Sequence, residues 1–309
     1  MSAKRFFVKE GRLRPAWRAI SYVVAMVVGL FAIQIPIALL LIAAVLVGAL
    51  DESSLMHLES SLPFLVLNTL ISLTVVVPLT YAFRRFLDGQ SLRSLGLGRE
   101  QGWVRHIVAG LLLGTVLMGL IFLAEWAMGW LTVEGFSWQV QSFASLLAGL
   151  FAYLLISVAV ALYEELAFRG YILQNLRADW GVIAALVASS LLFGVFHGLN
   201  PNVTWLALLN IFLAGVLLAA CYLVTRSLWL PMAFHFSWNF VQGPILSFPL
   251  SGLNTTGLLV TSIEGNTLLT GGAFGPEGGL LGTAALCLGL GVLLLWRWAA
   301  HREVSSPEG

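Results

Sequence analysis

The chain alternates long apolar runs with short polar turns. Eight runs stand out, at about 20–50, 62–83, 107–132, 142–175, 181–198, 204–224, 228–248 and 279–298. A run of at least ~18 mostly apolar residues reads as a membrane-crossing helix, because a hydrocarbon core of about 30 Å takes roughly 20 residues at 1.5 Å each. The pattern therefore predicts an all-α, polytopic transmembrane bundle of about eight spans, a single domain over 1–309. The first run is longer than a crossing needs and is expected to tilt or to bend at Pro36. A Gly/Thr/Ser/Asn-rich stretch, about 249–278, is the longest connection. The tail at 301–309 is polar and expected to be flexible. No internal repeat is apparent.

Composition agrees with that class. The 309 residues are 59% hydrophobic and 10% charged, against roughly 25% charged in soluble domains. The basic N-terminus precedes a run far longer than the ~7–15 apolar residues of a signal peptide, so the run is expected to be a retained span. Net charge is +1, and no basic block with interleaved aromatics suggests nucleic acid. Cys221 and Cys287 both sit in apolar runs, where packing is their simplest use. They offer neither a disulfide framework nor a zinc motif.

The basic residues orient the bundle. With the N-terminus inside, all sixteen Lys and Arg fall in inside segments. Outside loops carry acids alone: Asp51, Glu52, Glu59, Glu134, Glu264 and Glu277. The positive-inside rule then predicts cytoplasmic termini at both ends of the chain.

Ionisable groups within spans are expensive in hydrocarbon and are candidates for function by default. Asp51, Asp88 and Asp179 lie in loops, which argues against an aspartyl protease. His57, His106 and His301 fall in loops or at span ends. Glu125 is expected near the outer headgroups beside Trp126 and Trp130, an interfacial acid. That leaves Glu164, Glu165, His197 and His235 deep in the membrane. Neighbouring residues diverge by about 100° on a helix, so Glu164 and Glu165 are expected to have different tasks. Glu165 precedes Arg169 by four residues, the favourable order for a helical ion pair. Asn239 follows His235 by four, which places both on one face. If the fourth helix continues to the turn near Arg177, then Glu164, His197, His235 and Asn239 lie about 14–24 Å from the same end and can meet in one layer. If it stops at Arg169, Glu164 is too shallow.

These residues fall in three motifs: Glu164-Glu165-Leu-Ala-Phe-Arg169, Phe193-Gly-Val-Phe-His197 and His235-Phe-Ser-Trp-Asn239. In order and spacing they resemble the CPBP family of type II CAAX prenyl endopeptidases and Abi-type membrane proteins. The likeness covers roughly 90–245, since S-L-R-S-L-G-L-G-R and T-R-S-L-W-L-P also look like family connections. The resemblance implies that Glu164 and His197 activate a water and that His235 and Asn239 stabilise an oxyanion. Glu165, Arg169 and Phe193 then support them. Amide hydrolysis does need a base near water and donors aimed at the developing oxyanion. No cofactor is expected. Were zinc used, Glu164, His197 and His235 would be the ligands, although H-E-x-x-H is absent and Asn239 suits an oxyanion better than a metal.

The expectation is thus a multi-pass intramembrane endopeptidase, in a bacterial plasma membrane, acting on a membrane-embedded protein or peptide. Two alternatives are a proton-coupled transporter and a non-catalytic scaffold or bacteriocin-immunity protein. Against the transporter stands the lack of paired broken helices in two halves.

Overall fold

A computed structural model describes residues 6–9, 11–51, 58, 61–99, 102–255 and 257–305. His57, Glu52 and Glu59 lie outside the described residues. After a two-residue pairing of β1 (Val8–Lys9) with β2 (Arg12–Leu13), the chain enters α1 (Pro15–Leu46) and α2 (Leu62–Ala82). There follow α3 (Trp103–Ala127), β3 (Leu131–Phe136) and α4 (Phe143–Glu165). A π-helical segment, Leu166–Ile172, joins α4 to α5 (Leu173–Trp180). The chain continues through α6 (Val182–Phe196), α7 (Trp205–Thr225), α8 (Trp229–Phe240), β4 (Leu259–Ile263) and α9 (Leu280–Ser305). The molecule is an all-α polytopic bundle, and its helices make it an integral membrane protein.

Six helical stretches among the described residues are long and apolar enough to cross a membrane, where the pattern predicted about eight. The difference lies in 181–198 and 228–248. α6 and α8 have 15 and 12 residues, or about 23 and 18 Å, short of a core of about 30 Å. α8 is buried on almost every side, through Leu230, Pro231, Met232, Ala233, Phe234, His235, Ser237 and Trp238. A helix surrounded by protein need not match the lipid thickness, and irregular backbone is tolerated at depth where protein or a cavity covers it. The two short helices are the ones that carry His197, His235 and Asn239.

The fourth helix does continue past Arg169. Phe143–Trp180 is one stretch of 38 residues, interrupted only by the π-helical turn. At its start Ser142 caps α4 by accepting the Ser145 N–H at 3.2 Å, satisfying one of the orphan donors of a helix start.

The segments rich in basic residues meet at one end. Arg14 pairs with Asp179 at 2.8 Å, and Arg18 and Arg84 both reach Asp88, at 3.0 and 2.9 Å. The Asp179 carboxylate holds the Arg14 guanidinium above its ordinary pKa, first by hydrogen bonding and then by charge. The S-L-R-S-L-G-L-G-R and T-R-S-L-W-L-P connections pack on each other there. Leu228 N–H donates to Gly96 O at 2.9 Å, and the Trp229 indole donates to Gly98 O at 2.9 Å. The first run's Pro36 lies within α1.

α3 is pressed against α8 by two small residues. A Cβ on Gly110 would lie 2.5 Å from Leu230 O, and one on Gly114 would strike Ser237 Oγ and approach Phe234 O at 2.8 Å. Only bare backbone fits, which brings the two helices to direct contact. α8 is thereby fixed from behind.

At the other end the third span stops short of its predicted limit. Residues 131–136 form β3, paired antiparallel with β4 from Leu131↔Ile263 to Phe136↔Leu259, with an irregularity between Val133 and Gly135. β4 reads Leu-Val-Thr-Ser-Ile, rich in the β-branched residues that favour strands. Glu125, in the last turns of α3, is fully buried rather than interfacial. Its carboxylate has no hydrogen-bond partner among the described residues, while its neighbour Trp126 is the exposed residue. Glu125 lies on the buried stripe of α3 with Gly114, Met118 and Ile121, and the next residue faces out. The C-terminal helix also outlasts its expected end. It runs to Ser305, with the Arg302 guanidinium 3.8 Å over the Trp298 ring one turn earlier, and 306–309 of the expected tail lie outside the described residues. Cys221 is buried, in keeping with a packing role, whereas Cys287 is exposed.

Candidate active site

Glu165 and Arg169 lie in the deepest layer, 0% and 1% exposed as side chains, with Arg169 Nη1 donating to Glu165 Oε1 at 2.9 Å. Burial at this depth requires such a partner for each charge. Arg169 Nη2 donates to Gly215 O at 3.2 Å, and the guanidinium sits 4.3 Å over the Phe193 ring. Phe193 in turn touches both histidine rings, with centroids 4.7 Å from His197 and 6.2 Å from His235. A cation buried beneath an aromatic floor therefore underlies the site.

Across that floor stands His235. Its Nδ1 is 2.9 Å from Glu165 Oε1, and its Nε2 is 3.8 Å from Glu164 Oε2. The two adjacent carboxylates thus flank opposite edges of one imidazole. The expected divergence along the helix holds, and the ring of α8 fits between the two carboxylates. Glu164, without a partner near in sequence, finds this one 71 positions on. A carboxylate accepts and does not donate, so His235 Nδ1 carries a proton and Nε2 is the nitrogen turned to Glu164.

His197 comes from α6, at the residue that ends the helix (φ −92°, ψ 0°). Its Nδ1 lies 2.8 Å from Phe193 O. A carbonyl also only accepts, so Nδ1 is again the protonated nitrogen and Nε2 is left for other partners. Thr204 caps α7 directly after this turn, accepting the Ala207 N–H at 3.1 Å, and so fixes where the His197 loop re-enters the bundle.

Glu164, His197, His235 and Asn239 all line one cavity of about 410 Å³, within the usual range for ligand pockets of about 300–1,000 Å³. Much of the remaining wall is apolar, including Met26, Leu30, Val76, Ile156 and Val160. Glu164 keeps 15% of its side chain exposed, and its Oε2 has no hydrogen-bond partner among the described residues. Glu165 and Arg169 lie behind this wall and do not line it.

Sequence reasoning missed part of the enclosure. Ser251, Leu253, Thr255 and Glu277 line the cavity from the long connection after α8. Glu277, expected among outside acids, is folded inward. The signal available was Gly-Pro-Glu-Gly-Gly at 275–279, a turn-forming run around a lone acid. A second cavity of about 180 Å³ lies between α1 and α2, and Asn68 lines both.

The residues named for zinc were Glu164, His197 and His235. Among the described residues, no three His, Cys, Asp or Glu side chains come together as a metal-binding group.

Residues 145–241 match the family model described as Type II CAAX prenyl endopeptidase Rce1-like. That segment is similar to the type II CAAX prenyl endopeptidases. The match supports a CPBP intramembrane protease of the CAAX type, and it runs from α4 to the residue after α8, so it contains all three motifs. The matched segment supplies Glu164, His197, His235 and Asn239, while α1, α2, the 246–279 connection and α9 supply other parts of the wall, with polar groups of their own in Asn68, Ser251 and Glu277. No curated protein and no solved structure matches the chain.

Proposed function

We propose that the protein is an intramembrane endopeptidase that hydrolyses peptide bonds of membrane-associated proteins or peptides by a water-based, metal-free route. The observation that carries this reading is the approach of Glu164 to His235 across 3.8 Å, inside a cavity that His197 and Asn239 also line.

In the proposed reaction Glu164 takes one proton from a water that His197 Nε2 orients by accepting its other hydrogen, as the water oxygen bonds to the scissile carbonyl carbon. The carbonyl π electrons move to oxygen, and His235 and Asn239 donate hydrogen bonds to the oxyanion. Collapse breaks the C–N bond, and the proton held by the acid passes to the leaving amine. The products are a carboxylic acid and an amine, with one water consumed. Charge balance supports His235 as the donor. Two carboxylates, Glu164 and Glu165, face one guanidinium, Arg169, so the cluster reaches neutrality with His235 as imidazolium, which has a proton on Nε2 as well. Removal from bulk water strengthens each of these interactions.

The test is cleavage of a peptide library by purified protein, comparing wild type with Glu164→Ala and His235→Ala. The reading expects cleavage by wild type and its loss in both variants. Cleavage unaffected by either substitution removes catalysis from this cavity. Activity that survives chelation supports the metal-free route, and activity lost on chelation and restored by zinc overturns it.

A further inference from the structure

We propose that Glu277 is a positioning residue for the cavity, clasping the connection after α8 to Trp238 so that the wall beside His235 and Asn239 is held in place. The proposal rests on reading the cavity as the peptidase site. It concerns a residue outside the family-matched segment.

The clasp has four arms. Trp238 Nε1–H donates to Glu277 Oε1 at 3.2 Å. Ser251 donates twice to Oε2, from its N–H at 2.9 Å and from its hydroxyl at 2.6 Å. The Glu277 main-chain oxygen accepts from Asn210 Nδ2 at 2.9 Å. Asn210 is buried in α7 and is itself oriented by Gly279 O, at 2.8 Å, and by the Thr283 hydroxyl, at 2.7 Å. The carboxylate therefore ties α8 to the covering connection at the cavity wall, and the main-chain oxygen of the same residue ties it to α7. Hydrogen bonds to an ionised group are about twice as strong as neutral ones.

The backbone shows that the cover is held rather than relaxed. Ser247 and Ser251 adopt left-handed φ values of +60° and +48°, which residues with a Cβ avoid unless their surroundings impose them. Ser251 is the residue that Glu277 grips. The grip extends to the His197 turn, since Asn202 donates to Gly252 O at 3.1 Å and a Cβ on Gly252 would strike Pro201 O. The wall that carries Ser251 is thus continuous with the loop that follows His197. Trp238 precedes Asn239 directly, so what fixes the indole fixes the turn of α8 that presents the amide.

Glu277→Gln keeps the size but offers one acceptor where two are used, and Ser251→Ala removes the hydroxyl arm alone. Amide hydrogen exchange and peptide-cleavage kinetics are measured on both variants in detergent, with exposed Glu264→Gln as control. Exchange at 247–255 is expected to quicken at least about tenfold in Glu277→Gln, with the rest of the bundle unchanged. Misplacement of the wall is expected to lower kcat about tenfold while KM moves less than about threefold. Ser251→Ala is expected between wild type and Glu277→Gln on both readouts. Unchanged exchange overturns the clasp, and quickened exchange with unchanged kcat reduces it to a structural tie. If wild type shows no Glu164-dependent cleavage, the peptidase reading fails instead, and the exchange profile alone decides whether Glu277 holds the cover.

Discussion

Glu165 Oε1 receives both Arg169 Nη1 and His235 Nδ1, each at 2.9 Å. A single buried oxygen thus links the charge pair of the π-helical turn to the ring that faces the cavity. Removing one member of such a pair leaves a charge unpaired in the interior, at about 3–5 kcal/mol, whereas replacing both members with apolar groups is far less costly. Arg169→Met and Glu165→Leu are each expected to destabilise the protein by about that amount, and the double variant by clearly less than their sum. Equilibrium unfolding in detergent of the three variants checks the coupling.

The contact of α3 with α8 gives a second expectation. Gly114→Ala places a methyl against Phe234 O, Trp238 N and Ser237 Oγ, where backbone cannot yield cheaply. A loss of about 1–3 kcal/mol is expected, with cleavage reduced because α8 carries His235 and Asn239. Gly119, five residues along, has nothing within 4 Å of such a methyl. Gly119→Ala is expected to be neutral or slightly stabilising, since alanine has the better helix propensity. Thermal unfolding of both variants separates packing from propensity.

At the basic end, two aspartates with buried side chains, Asp88 and Asp179, differ in the exposure of their arginine partners. Asp88 is 3% exposed as a side chain and meets Arg18 and Arg84, themselves 13% and 10% exposed. The Asp179 partner, Arg14, is 30% exposed, so salt and water screen that pair. Asp88→Asn is expected to lower stability by several kcal/mol, about 3–5, with little dependence on salt. Asp179→Asn is expected to cost about 1 kcal/mol or less and to matter least at high salt. Unfolding at low and high ionic strength reads both.

Sequence periodicity was sufficient for the bundle because lipid imposes long apolar runs that nothing else in the chain imitates. It was also enough to single out Glu164, His197, His235 and Asn239, which the fold brings to one cavity, since charge and amide groups are conspicuous against that background. Span number was less legible. α6 and α8 are apolar like their neighbours but shorter; burial inside the bundle frees α8 from the length rule, and hydropathy does not distinguish protein from lipid as the surrounding solvent. The fate of Glu125 and Glu277 was hidden for a related reason. Whether an acid near a span end faces headgroups or folds inward depends on neighbours distant in sequence, such as Trp238 and Ser251 for Glu277. The joint hold of Glu164 and Glu165 on one imidazole was likewise invisible along a single helix, because the ring arrives from α8.

The account depends most on Glu164 and His235 acting as one unit on the scissile bond. Groups that serve the same transition state are strongly non-additive, so losing either costs about as much as losing both. The decisive measurement is the cleavage rate constant of Glu164→Ala, His235→Ala and the double variant on one peptide under saturating conditions. The account predicts that the double variant is no slower than the slower single variant. Losses that multiply, or cleavage that persists when Glu164 is alanine, would contradict it.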